Sequence, residues 1–430
     1  MKTLAALLLC LFSIAAVANF GAIAENDRPL DVLTLSSGKT LEGHLLRETP
    51  DEVVFLFQTR TETHPKNRVE SLRSPIPLLG EFVRRVEAVR AADVDGNLEL
   101  AAWCEQQGLT HEARLLRWRA IAADWSDPRA HVALAHRERR GEWEVQLGRK
   151  WYGKERFEKA TADWRDAVEV ETSLVKVRGN LPLARVVEAA LGWTRYYHAF
   201  FTAWGNDVGL PHASRWMEMH LHGDEKSFPK AGVGAASYFL GEEARVVVDT
   251  TRTRTLGSPR DRLGQILSAT YANAQNARGT APPWLAESLA LFLAAALPES
   301  GLADVARILI SEMNWFAAHA EAENPDSLNR ILVASGAELR EVPGHELRMA
   351  QAYTLFDFCY NARGGALREK LFEFARGTMA GRISPTDFQN ALGITSGKFE
   401  AEWLAWARKR MDERELRLAA EESADGGDGV

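Results

Sequence analysis

The sequence predicts an α+β protein, predominantly helical, on three observations. Short alternating runs parted by polar turns fill Asp31 to Ser74, the pattern of a small antiparallel β-barrel. From Pro77 the apolar period changes to that of helices. Beyond Pro182 a long helix, two strand-like runs and a succession of helices give a C-terminal unit with a small mixed sheet and a helical lobe. The expected division is a signal at 1–24, the barrel at 30–75, a helical-hairpin spacer at 77–141, a linker hairpin and helix at 142–180, the α+β unit at 181–412 and a disordered acidic tail at 419–430.

Met1 to Ala24 carries Lys2, an apolar run from Leu4 to Ala18 and the small-x-small end Ala22-Ile23-Ala24, the marks of a secretory signal. The mature chain then begins at Glu25 and is exported: periplasmic, envelope-associated or secreted. The apolar run is shorter than the roughly 20 residues a membrane span needs, so a retained anchor is the weaker alternative. No second such run follows, and no transmembrane span is expected after signal removal. Cys10 lies too early in the run to be a lipidation site. A net charge of −7 over 430 residues offers no basic surface for nucleic acid. Cys104 and Cys359, in different units, are expected as buried thiols, although export makes a disulfide chemically possible.

Within 31–74 the strand-like runs VLTL, TLEGHLL, VVFLFQT and RVESL surround the SSGK and TPDE turns, and His44 and His64 are read as exposed strand and loop residues. The phrase VLTLSSGKTLEG resembles the small SH3-like or Sm-like barrels at the front of exported bacterial proteins. That resemblance implies a module that binds peptides, packs on neighbours, or does neither. Helices are expected at Leu78–Ala91, Asn97–Gln107, Thr110–Asp124 and Pro128–Arg140. The piece LAAWCEQQGLTHEARLLRWRAIAADWSDPRAHVALA resembles tetratricopeptide hairpins, too few for a solenoid. It serves as a spacer by packing alone or, alternatively, offers a peptide groove. Trp143 and Trp151 flank a Gly-centred turn and are expected to clasp the spacer to the C-terminal unit. Their basic neighbours Arg149, Lys150 and Lys154 suggest nucleic-acid stacking, which the acidic chain argues against. A helix follows over Lys154–Ala167, then strands in 166–177, and then a helix over Pro182–Trp204 with Val186, Val187, Ala190, Trp193, Tyr197 and Phe200 near one stripe. Ser214–Leu221 and EARVVVDT read as strands.

Arg262 to Leu297 reads as two helices joined by a turn with Gly279 and Pro282-Pro283. The second opens PPWLAES, which resembles the WLxEGLA segment of gluzincin metallopeptidases, where the Glu is the third zinc ligand; Glu287 occupies that place. Counting back by the family's gap to its HExxH motif lands on Gly264, Gln265, Ile266, Leu267 and Ser268. Gly and Ser cannot supply two imidazoles, and Gln265 keeps the shape of Glu without its basicity. Ala231–Asp249 resembles the family's glycine-rich turn and edge strand, Met349–Tyr360 its following helix, and Gly381–Trp406 its closing segment, so the likeness covers about Pro182 to Arg410. The resemblance implies a peptidase scaffold whose metal site is erased, with no cofactor, no catalysis, and a protein or peptide as partner. If so, Gly264, Gln265, Ser268 and Glu287 should meet at one cleft. The plainer reading makes WLAES a helix start, with Trp284 in the core and Glu287 completing the first turn.

An active zinc enzyme is the alternative, with ligands from His220, His222, Glu287 or His345. On a strand His220 and His222 share a face and could grip one ion, with Asp224 in the following turn. The run from His345 to Met349 begins like HExxH but ends on Met349 and reads as a helix start. A purely structural scaffold is the third reading. No G-x-S-x-G elbow, P-loop or dinucleotide fingerprint occurs, and Gly232-Val233-Gly234 is too short for a nucleotide loop. Helices at Leu302–Glu323, Ser327–Ala334, Ala350–Ala362, Ala366–Arg376, Pro385–Leu392 and Phe399–Leu418 complete the chain, the last anchored by Trp403 and Trp406, with ESADGGDGV disordered after it.

Overall fold

The computed structural model describes residues 28–58, 60–206, 209–229, 236–240, 243–253, 259–271, 282–296, 315–336, 338–340, 344–379 and 381–425. The expected signal, Gly232-Val233-Gly234, Gly279 and the 302–314 part of an expected helix lie outside them. The fold is mixed α+β. No helix among the described residues is long and apolar enough to cross a membrane.

Strands β1 (Asp31–Leu35), β2 (Thr40–Glu48), β3 (Glu52–Phe57), β4 (Arg60–Pro65) and β5 (Val69–Arg73) form an antiparallel sheet in the order β4-β3-β2-β1-β5. The SSGK turn joins β1 to β2 through Gly38 at φ +81°, a conformation glycine adopts without strain. Alternation puts Leu33, Leu41, Leu45, Val53 and Phe55 on one face, and they make the core of this unit. Bulges at Leu45/Arg47 and Thr34/Leu35 interrupt the two ladders that β2 and β1 make.

This sheet is fastened to the body by a buried polar network. Arg28 donates from Nε to the Ala213 carbonyl at 2.6 Å and grips Asp31 at 3.1 and 2.5 Å. Asp31 accepts the Leu45 N–H at 2.6 Å. The His212 N–H bonds the Leu46 carbonyl at 2.6 Å, while the Tyr197 hydroxyl accepts from the Ala213 N–H at 3.0 Å and lies 3.1 Å from His212 Nδ1. His44 belongs to this seam: it is buried, not exposed as expected, because its strand position turns toward Arg28 and Asp31. Burial first, and then the Arg28 charge, lowers its pKa to about 4.

Helices α1 (Leu79–Ala88), α2 (Val94–Gln106), α3 (Thr110–Ala123) and α4 (Pro128–Ala133) follow. Asp93 caps α2, and Asp127 caps α4 ahead of Pro128. The fourth helix was expected to reach Arg140. It stops at Ala133, because Ala135 takes φ +56° and residues 137–139 become strand β6, paired with β7 (Glu142–Leu147), which pairs in turn with β8 (Lys150–Tyr152). The aromatic clasp exists but joins the hairpin to the helical unit. Trp143 stacks on His131 at 5.1 Å, the Trp125 indole N–H donates to the Trp143 carbonyl at 3.2 Å, and Trp151 lies under Arg137.

After α5 (Lys154–Thr161) comes the second sheet, built from β9 (Val168–Glu171), β10 (Val175–Gly179), β11 (Met217–His222), β12 (Ser237–Leu240) and β13 (Arg245–Asp249) in the order β12-β13-β11-β10-β9. β10, β11 and β13 run parallel, and the two edge strands run against them. Helix α6 (Leu183–Phe200) packs on β10 and passes into a π-helical turn at Phe201–Gly205. Helices α7 (Pro259–Tyr271), α8 (Pro283–Ala296), α9 (Trp315–Ala320), α10 (Leu328–Val333), α11 (His345–Asn361), α12 (Arg368–Met379), α13 (Phe388–Leu392) and α14 (Ser396–Asp425) make the lobe. The terminal helix passes Leu418, so 419–425 of the stretch expected to be disordered is helical; 426–430 lies outside the described residues. Cys104 and Cys359 are free and buried.

Candidate functional site

The strand β11 reads MEMHLH, and its parity decides what the site can be. Met217, Met219 and Leu221 are buried in the main core. A Cβ on Gly179 would meet both Leu221 and Val186 of α6 at 3.2 Å, so this is the face α6 covers. Helix α7 covers the same face. A Cβ on Gly264 would lie 3.0 Å from the Phe239 ring, and Phe239 pairs with Val246, which pairs with Met219. Glu218, His220 and His222 therefore point to the opposite face.

Gln265 is fully buried on α7. Its side-chain amide donates to the Glu218 carbonyl at 2.5 Å and the Ala244 carbonyl at 2.7 Å, at the starts of β11 and β13. Two carbonyl acceptors fix which end of the amide is nitrogen. The residue at the place the resemblance gives to a general base thus ties the helix to the sheet. Gly264 is wedged beneath Phe239. The backbone of Ser268 lies in α7, and its side chain is outside the described residues.

Helix α8 packs on α7 and on α11. Trp284 is buried against Phe374 and Phe388, and Glu287 is buried three residues on. His345 opens α11 and Met349 sits in its buried face.

On the outer face of the sheet, His222 is buried, stacked on Trp164 with ring centroids 3.8 Å apart, and its Nδ1 lies 3.2 Å from the Ser227 hydroxyl. That hydroxyl donates to the Asp224 carbonyl, which makes Nδ1 the protonated nitrogen. Nε2 is buried without a partner among the described residues. Burial lowers the His222 pKa to about 4, against the opposing charges of Asp224 and Asp249. His220 meets the edge of the same indole at 5.3 Å, and burial, followed by the Arg245 charge, takes its pKa to about 3. Arg245 is ion-paired with Glu218 at 2.6 Å. Asn180 ties the ends of β10 and β11 together, accepting from the Gly223 N–H at 2.7 Å and donating to Asp224 at 2.6 Å.

Of the candidate ligands, the structure brings His220 and His222 together and separates both from the α7–α8 pair by the thickness of the sheet. Glu287 belongs to a helix packed on α7, so a metal held jointly by these three is excluded by strand parity. Gly264, Gln265 and Ser268 are no donor set for zinc, and the residues present do not fit that ion. Among the described residues no three His, Cys, Asp or Glu side chains gather to hold a metal. Trp164 and Asn180 were missed by sequence reasoning. A tryptophan ahead of a strand hairpin carries no signal of the histidines it covers. The chain matches no protein-family model, no curated protein and no solved structure.

Proposed function

We propose that this is an exported, catalytically inactive gluzincin-like protein that binds a peptide or protein partner, with a role in envelope assembly. The observation that carries the reading is Gln265, whose amide is consumed by two backbone carbonyls at the position where such a peptidase would need a carboxylate. A general base must reach a water or substrate proton, and this side chain faces carbonyl oxygens inside the fold. The order of helix, mixed sheet, Gln265 helix and Glu287 helix supports the scaffold half of the proposal. The buried seam at Arg28 and Asp31 supports the binding half, since it makes the N-terminal sheet a fixed neighbour of the body.

The reading is tested with a fluorescently labelled random peptide pool, following anisotropy and fragment mass together, with and without added zinc. Saturable binding with intact peptides is expected. Zinc-stimulated cleavage would replace this reading with an active peptidase, and absence of binding would leave the scaffold role alone.

A further inference from the structure

Away from the α7–α8 pair, two imidazoles meet head to head. His131, fully buried in α4, and His136, half-buried just beyond it, have their Nδ1 atoms 2.8 Å apart. The His136 backbone N–H also donates to the His131 carbonyl at 2.9 Å, which holds the two residues to each other. We propose that this pair is an acid-operated latch, which keeps the β6–β8 hairpin on the helical unit when neutral and lets it go when both rings are protonated. This inference is independent of the pseudo-peptidase reading.

The partners fix where the protons sit. The Trp125 carbonyl, 2.9 Å from His131 Nε2, can only accept, so Nε2 carries the ring proton and Nδ1 is bare. A bare Nδ1 needs a donor, so His136 carries its own proton on Nδ1 and is bare at Nε2. A first added proton can sit on His136 Nε2 and leave both bonds standing. A second has only His131 Nδ1 to go to, where it sets N–H against N–H at 2.8 Å, and the rings must part.

What parts with them is the hairpin. His131 stacks on Trp143 of β7 and meets the edge of Trp125, whose indole N–H bonds the Trp143 carbonyl, while His136 lies 5.1 Å from Trp118 of α3. The Trp143 face could take an imidazolium without loss. The His136 N–H could not. Of the surrounding charges, Asp127 at the cap of α4 favours a charged His131, and Arg114 on α3 opposes one on His136. Asp124 in the turn between α3 and α4 is taken up by Ser126 and feels Lys154 of α5, and Glu138, opposite Trp143 in the hairpin, is exposed. Burial leads both shifts downward and takes His136 to about 4, the His131 and then the Arg114 charge adding to it. A histidine freed by opening regains about 6.5. The closed latch is therefore favoured above that value and loses ground as pH falls through it, by up to about tenfold in the opening constant per pH unit for each histidine.

The test is hydrogen–deuterium exchange of the full chain, read by mass spectrometry over 137–152 and over α6 as an internal control. It runs from about pH 7 to about pH 4.5, corrected for the intrinsic pH dependence of exchange. Protection over 137–152 should fall at least about tenfold per pH unit below about pH 6.5, while α6 keeps its own. In His136→Asn the side-chain amide can donate to a neutral His131 Nδ1 and can turn its oxygen to accept from a charged one. That variant should match the parent near neutral pH and stay protected in acid. His136→Ala, which offers neither, should lose protection over 137–152 already near neutral pH. Unchanged protection of the parent down to about pH 4.5, loss in α6 in step with the hairpin, a folded His136→Asn protein that opens with acid as the parent does, or a His136→Ala protein as protected as the parent would overturn the proposal.

Discussion

Replacing Gln265 by Glu would put a carboxyl where the proposed reading sets a peptidase base, and the structure says it should damage the protein. The amide donates two bonds, at 2.5 and 2.7 Å, to the Glu218 and Ala244 carbonyls. A protonated Glu can donate only one, leaving a buried carbonyl unsatisfied at about 1–3 kcal/mol. An ionised Glu can donate neither and sets a carboxylate against two carbonyl oxygens. Its pKa in the folded state must then rise, and each unit of rise costs about 1.4 kcal/mol once the pH exceeds both values. With a rise of roughly two to three units, the total is about 4–7 kcal/mol at pH 7.5 and about 2–4 kcal/mol at pH 4.5. The sign is fixed by the raised pKa of an acid: the penalty is small below the unfolded value of about 4.3 and grows as pH rises toward the folded one. Thermal unfolding followed by tryptophan fluorescence should show the variant losing on the order of 10 °C against the parent at pH 7.5, and only a few degrees at pH 4.5. Gln265→Met, which loses both bonds without adding charge, should give a drop that does not depend on pH. A Gln265→Glu protein as stable as the parent at pH 7.5 would refute the reasoning.

Two further outcomes follow from buried charge. His220 and His222 are held neutral, with pKa values near 3 and 4, so the stability they support is complete above the unfolded value of about 6.5 and is lost as pH falls through it. Each should withhold up to about 3 kcal/mol near pH 4, and the double variant His220→Gln, His222→Gln should flatten the fall in melting temperature between pH 6.5 and 4. A parallel fall in parent and variant would place the acid lability elsewhere. Asp31→Asn leaves the Arg28 guanidinium buried without its counter-charge and should cost about 3–5 kcal/mol, read as a lower melting temperature and earlier proteolysis between residues 28 and 74. A melting temperature within a degree or two of the parent's would contradict that account.

What the sequence made legible was local. The SSGK turn, the long helix at 183–200 and the alternation of MEMHLH follow from periods of 2 and 3.6 and from residues with special backbone preferences. Alternation put His220 and His222 on one face; it could not say that α6 and α7 both cover the other. The partners of Gln265 lie 47 and 21 residues away, at strand starts that no local pattern connects to α7. His44, read from the sequence as exposed, is buried within reach of the Arg28 and Asp31 charges, a setting that no local pattern in its strand announces. The helix expected to reach Arg140 failed at Ala135, where the His131–His136 contact, 2.8 Å between Nδ1 atoms, accompanies a left-handed residue that helix propensity does not foresee.

The most direct test of the central claim is metal content. The purified protein is equilibrated with zinc, freed of unbound metal and analysed for bound zinc. Because Gly264, Gln265 and Ser268 supply no zinc donors, less than about a tenth of an equivalent should remain. Near one equivalent, lost on Glu287→Ala, would contradict the account and make the α7–α8 pair a zinc site.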